Sequence, residues 1–245
     1  MKVYFFGTCL GGVAYSQALL DSIKLLQHFG AEVIYKKDQS CCGQPSFNSG
    51  YYEETRKVAL ANMRLFSEPY PVVLPSGSCG GMMMHDYLKL FEDTPHFQEA
   101  QEFCARVYDL SDFLYQELKA ELLDKGEPTR VTWHTNCHAL RVAKCIDSSK
   151  GLLRMLKNVE LVELENEEEC CGFGGTFSVK EPEVSQAMVE KKVADIISQN
   201  VEYIISGDGG CLLNISGALK YQGHSIKPMH LYEFLAKRIG IDGGQ

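Results

Sequence analysis

The 245-residue sequence predicts an α/β protein built as two pseudo-symmetric repeats, each a small parallel sheet flanked by helices. Three observations carry that reading. The triplet Cys-Cys-Gly occurs twice, at residues 41–43 and 170–172, and each copy has one cysteine upstream and one downstream at similar separations. Apolar β-like runs alternate with helix-length amphipathic segments through both halves, the pattern of parallel strands joined by helical crossovers. Each half also closes alike: ARVYDLSDFLYQEL (105–118) matches IKPMHLYEFLAKRI (226–239), a strand running into an amphipathic helix.

Taken in order, VYFF (3–6) is a short apolar run suited to a buried strand, and Cys9 follows it. Residues 13–29 predict a helix, 32–36 a strand, 52–67 a helix and 71–75 a strand that ends just before Cys79. In the second half VTWH (131–134) is the strand ahead of Cys137, 148–157 a helix, 159–164 a strand, 182–199 a helix and 201–206 the strand ahead of Cys211. In the long helix Val184, Met188, Val189, Val193, Ile196 and Ile197 fall on one face, and Pro182 suits its first turn. The cysteine spacings agree: 31 residues lie between Cys9 and Cys41 and 36 between Cys42 and Cys79, against 32 and 39 for Cys137 to Cys170 and Cys171 to Cys211. The pairs Ser76-Gly77 and Ser206-Gly207 supply a further point of register. Charge, Gly126 and Pro128 interrupt the pattern over 121–130, which divides the chain into residues 1–125 and 126–245.

Composition excludes several classes. With 45% hydrophobic and 23% charged residues the chain is neither disordered nor collagenous. A net charge of −8 and the lack of a Lys/Arg run argue against nucleic-acid binding. The uncharged stretch 3–20 is broken by Gly7, Thr8, Gly11, Gly12, Ser16 and Gln17, so it reads as strand, turn and helix start and not as a membrane span or export signal. A cytoplasmic location is the expectation, and there ten cysteines read as metal ligands or redox groups before disulfides.

A parallel sheet gathers functional groups beyond the carboxyl ends of its strands. Cys9, Cys41, Cys42 and Cys79 are thus expected to meet in one half, and Cys137, Cys170, Cys171 and Cys211 in the other. A disulfide within either adjacent pair would be strained, because neighbouring Cα atoms lie about 3.8 Å apart and disulfides prefer about 4.4–6.8 Å. Four thiolates suit zinc or an iron–sulfur cluster. Structural zinc sites usually use C-x₂₋₄-C knuckles, absent here, whereas vicinal ligands fit a polynuclear centre. The glycines after the second pair, Gly172, Gly174 and Gly175, let backbone N–H groups approach such a centre. Cys104 and Cys145 lack counterparts and are expected to pack in the core. His134 and His138 bracket Cys137, but a strand end at His134 opposes shared ligation. GTCLGG lacks the G-x-G-x-x-G spacing of a dinucleotide site, and Met82 to Met84 are expected to pack.

The repeated Cys, CCG, Cys pattern resembles the cysteine-rich CCG domain of heterodisulfide reductase and of the glycolate oxidase iron–sulfur subunit. Through CCGFGGTFSVKEPEVSQAM, SGDGGCLLNISG and FGTCLGGVAYSQA, the sequence is similar to the lactate utilization protein A family over almost its whole length. The resemblance implies two Rossmann-like CCG domains and a non-flavin oxidoreductase subunit that oxidises L-lactate to pyruvate. It also implies a ferredoxin-type iron–sulfur partner, a third lactate-utilization protein, and the eight motif cysteines as ligands of one or two iron–sulfur clusters of the [4Fe–4S] kind. The absence of C-x₂-C-x₂-C-x₃-C places ordinary ferredoxin clusters on that partner. One position departs from the pattern: the heterodisulfide reductase motif ends with Cys-x-x-Cys, and here Met82 and Asn214 stand at the last place. A five-thiolate centre does not carry over, leaving open a four-thiolate cluster, a cluster in one half only, or zinc in one half. The alternative function is a zinc-binding or thiol–disulfide redox protein using the vicinal pairs.

Overall fold

The structure is a computed structural model that describes residues 1–241. Two four-stranded sheets, all parallel, share one topology. The first runs β2-β1-β3-β4, with β1 Lys2–Phe5, β2 Glu32–Tyr35, β3 Val72–Leu74 and β4 Val107–Asp109. The second runs β6-β5-β7-β8, with β5 Thr129–Trp133, β6 Val159–Val162, β7 Tyr203–Ser206 and β8 Lys227–His230. The central strands are apolar because helices cover both faces: Val3, Phe5, Val72, Val73 and Leu74 are fully buried, as are Val131, Ile204 and Ile205. The chain leaves β1 for β2 on one side and then returns to β3 on the other, so each sheet has a crevice between its two central strands. That crevice is where open α/β sheets place ligands.

One core crosses the divide. Val3, Phe5, Leu25, Val73 and Leu110 of the first half belong to the same buried cluster as Val131, Trp133, Leu152, Ile205 and Leu235 of the second. The helix Ser16–His28 packs against the helix Leu231–Ile239. Separate apolar clusters line the outer sides, one around Phe66, Met82 and Tyr87 and one around Val193, Ile204 and Ile215. Among the described residues no helix is long and apolar enough to cross a membrane.

Several expectations need adjustment. The first helix starts earlier than residue 13: Cys9–Ala14 is its own helix, N-capped by Thr8, with a break at Tyr15 before Ser16–His28. Gly209–Tyr221 is a 13-residue helix where no helix was expected, hidden by the glycines at its start. Val184 is half exposed, and the buried stripe of Pro182–Ser198 runs instead through Ser185, Val189, Lys192, Val193 and Ile196. The helix opens by packing Ser185 under Gly172, whose added Cβ would lie 2.6 Å from the Ser185 carbonyl oxygen, so Val184 turns outward.

The Ser-Gly register fails. Ser76 and Asp208 are the N-caps after β3 and β7, and Leu74 and Ser206 are the equivalent strand ends. Ser76-Gly77 and Ser206-Gly207 therefore sit two positions apart in the fold.

Candidate metal centre

In the first half Cys9 opens the helix Cys9–Ala14 beyond β1, and Cys79 lies in the helix Gly77–Gly81 beyond β3, one on each side of the crevice. Cys41 and Cys42 come from the loop after β2. Its turn is made by Gly43 at φ 91°, a left-handed conformation that a side chain would strain. The Sγ atoms of Cys9 and Cys41 are 3.6 Å apart, and the Cys42 thiol is hydrogen-bonded to Cys41 and Cys79, so the four sulfurs are contiguous. The loop is fixed from outside: Asn62 Nδ2 donates to the Cys41 carbonyl at 2.9 Å, and Tyr87 Oη donates to that of Cys42 at 2.9 Å.

The second half repeats this arrangement. Cys137 follows β5 and Cys211 lies in the first turn of Gly209–Tyr221 after β7. Cys170 is hydrogen-bonded to Cys137 and Cys171, and Cys171 to Cys211. Gly172, at φ 82°, makes the turn, and its N–H points at Cys170 Sγ from 3.4 Å, as Gly43 N does at Cys41 Sγ from 3.5 Å. Asn214 Nδ2 donates to the Cys171 carbonyl at 2.7 Å. Thr8 and Asn136 cap the helical turns that follow β1 and β5, Thr8 Oγ1 accepting from Gly11 N at 3.1 Å and Asn136 Oδ1 from Ala139 N at 2.8 Å.

Sequence reasoning expects two sites; the fold makes them face each other. All eight motif cysteines line one cavity of about 590 Å³ between the halves, with Thr8, Ser76, Asn136, Phe173, Asp208 and His230 among its other walls. Asp208 binds the halves there. Its Oδ2 accepts from Ser76 Oγ and Ser78 N, both at 3.1 Å, while Oδ1 accepts from Gly210 N at 3.0 Å. Gln44 Nε2 lies 3.2 Å from His138 Nε2, and Ser49 Oγ lies 3.2 Å from Thr176 Oγ1. Close approach at this seam demands glycine: a Cβ on Gly77 would sit 2.7 Å from that of Ala139.

The sulfurs share charge unequally. Hydrogen bonds from Cys42 and Cys9 hold the Cys41 thiol far below its ordinary range, and Cys137 and Cys171 do the same for Cys170. Their neighbours move the opposite way: the Cys9 and Cys137 thiols are pushed up, first by that same hydrogen bond and then by burial. In each quartet one sulfur is thus favoured as the thiolate at the expense of the neighbour hydrogen-bonded to it. That is the donor chemistry of a soft-metal or iron–sulfur site, whose binding releases protons.

A residue outside the expected set stands beside these sulfurs. His134 is fully buried just past β5, and neither ring nitrogen has a hydrogen-bond partner. An unsatisfied buried polar group costs about 1–3 kcal/mol, so the ring is short of a partner. A ring nitrogen and the sulfurs of Cys171 and Cys211 all lie within 4.8 Å of one another. Burial, then the nearby Lys192 ammonium, push its pKa down to about 3, keeping the imidazole neutral. His138 does not share this spot and turns to Gln44. Its signals in the sequence are its place in HTNCH beside Cys137 and a polar residue at the end of a buried strand, where the first half has Phe6. Cys104 and Cys145 are buried in the apolar clusters away from this cavity, and all ten cysteines are unpaired.

Two sulfur quartets at the switch points of duplicated parallel sheets define a double cysteine-rich domain protein. The family described as "CCG: Cysteine-rich domain" matches twice, over residues 3–84 and 131–216. Lactate utilization protein A of Shouchella clausii is 40% identical over 96% of this chain and 98% of its own length, and that of Halalkalibacterium halodurans is 42% identical over 96% of each. Lactate utilization protein A of Geobacillus kaustophilus is 40% identical over 97% of this chain and all of its own. The chain belongs to the lactate utilization protein A family. A crystal structure of a hypothetical protein from Helicobacter pylori shares the fold at a TM-score of 0.64 and 12% identity, with 98% of this chain covering 49% of that one.

Proposed function

We propose that this protein is the iron–sulfur electron-transfer component of a complex that oxidises L-lactate to pyruvate. The observation that carries the reading is the convergence of eight cysteines from six segments beyond strand ends, as two quartets, on one cavity. In this reading Cys9, Cys41, Cys42 and Cys79 of residues 1–125, and Cys137, Cys170, Cys171 and Cys211 of residues 126–245, each hold one centre of the [4Fe–4S] kind. Bound there, such a centre supplies one-electron redox chemistry. The chain's own part is to present thiolates, aim Gly43 N and Gly172 N at sulfur, and restrict water at the cavity floor. Lactate oxidation releases two electrons and two protons, and two one-electron centres match that count. A ferredoxin-type iron–sulfur protein and a third lactate-utilization protein complete the electron path, and a reducing cytoplasm suits ten unpaired thiols.

The test is anaerobic purification followed by iron and acid-labile sulfide analysis and electron paramagnetic resonance. About eight irons with matching sulfide supports two four-iron centres, and Cys170→Ser should remove the signal of the second half. Colourless protein without sulfide overturns the reading. One contact favours a thiol–disulfide rival, the 3.6 Å approach of Cys9 and Cys41; full activity in protein lacking both iron and zinc would establish it.

A further inference from the structure

The two quartets match in topology, yet their surroundings differ. Where the first half buries the phenyl ring of Phe6 three residues before Cys9, the second buries His134 three residues before Cys137. Both His134 nitrogens lack partners although the ring is fully buried, and its backbone is anchored: His134 N donates to the Ile205 carbonyl at 2.8 Å, and Ser206 Oγ donates to the His134 carbonyl at 3.0 Å. The ring is therefore held where a nitrogen and the sulfurs of Cys171 and Cys211 surround one point.

A second difference lies on the adjoining helices. Thr55 underlies Gly43 and Ser185 underlies Gly172; seven residues further along each helix stand Asn62 and Lys192. Asn62 is neutral and holds the Cys41 carbonyl. Lys192 is almost fully buried, and its Nζ donates to the carbonyls of Asn166 and Glu167 in the loop leading to Cys170.

We propose that His134 is an imidazole ligand of the second-half metal centre, which makes that centre a mixed sulfur–nitrogen site and leaves the first all-sulfur. This rests on the metal-bearing reading above. The added nitrogen donor is neutral, and the Lys192 ammonium buried close by offsets part of the charge of the sulfurs, so the second centre carries less net negative charge than the first. Lower net negative charge and a histidine donor both raise the potential of an iron–sulfur centre. The second half then holds the higher-potential centre, and electrons shared between the halves settle there first.

The experiment is pulsed electron paramagnetic resonance on the reduced, anaerobically purified full chain, with natural and ¹⁵N-histidine-labelled protein, alongside a redox titration. The expected result is a strong, directly bonded histidine nitrogen coupling on the signal that appears first on reduction. His134→Phe should abolish the coupling and shift that midpoint downward towards the other. If that variant does not fold, His138→Gln and His230→Gln serve, because the coupling must survive both. Absence of the coupling, only the weak coupling of an N–H···S contact, or loss of it in His138→Gln or His230→Gln overturns the assignment. Should the chain hold zinc and no iron, the electron-transfer reading fails while the assignment is still judged, by whether X-ray absorption shows a nitrogen neighbour of zinc that His134→Phe removes.

Discussion

Replacing Asp208 by alanine should loosen the two halves where they meet. The carboxylate is buried, accepts from Ser76 Oγ and Ser78 N of the other half, and caps the helix Gly209–Tyr221 through Gly210 N. Loss of an N-cap costs about 0.5–2 kcal/mol, and each hydrogen bond to a charged acceptor contributes about 1.5–3 kcal/mol. Ser76 Oγ retains Ser78 Oγ at 3.1 Å as a partner, which offsets part of the loss. The expected destabilisation is about 3–5 kcal/mol. With a urea m-value of about 2–3 kcal/mol/M for a chain of this size, the midpoint should fall by about 1–2.5 M. The assay is urea unfolding of metal-free, reduced protein followed by circular dichroism, with Asp208→Asn as the variant that keeps a capping oxygen and loses roughly half as much. A shift under about 1 kcal/mol for Asp208→Ala would refute the clamp.

Gly172→Ala should reduce metal content in the second half, because the residue sits at φ 82° and its Cβ would meet the Ser185 carbonyl at 2.6 Å; unchanged iron per chain would contradict this. Cys104→Ala and Cys145→Ala should leave metal content unchanged, and a loss in either would return that thiol to the site. Asp109 is buried and its pKa is raised from 3.8 to about 6, chiefly by burial. The folded protein therefore binds the proton more tightly than the unfolded chain, and stability falls as pH rises from about 4 to 6, by roughly 3 kcal/mol at most. Asp109→Asn, which keeps an oxygen for Ser111 and Tyr232, should flatten that fall in urea titrations at pH 4.5 and 7.

The strands and the helices Ser16–His28, Tyr52–Leu65 and Pro182–Ser198 were legible, the strands because parallel strands buried on both faces leave unbroken apolar runs, as at Val72–Leu74. The convergence of each quartet followed from placing cysteines after strand ends. What could not be read was the seam. Nothing in the spacing shows that Ser76 faces Asp208 or that both quartets open on one cavity, since those contacts join residues about half a chain apart and depend on how two sheets dock. Helix onset is hidden where glycine dominates, at Gly209-Gly210, because close packing against Tyr15 and Phe173 outweighs helix propensity there. His134 draws notice beside Cys137 but is not expected as a ligand, because a histidine at a strand end gives no sign of what lies across the crevice.

The Ser76 to Asp208 contact bears on the symmetry of the repeats. The two residues hold equivalent places in their halves, so a symmetric dimer of either half alone would set serine against serine or aspartate against aspartate at that spot. Within one polypeptide the two positions differ, one a donor and the other an acceptor. The seam between the repeats is therefore asymmetric in chemistry although the two sheets share one topology.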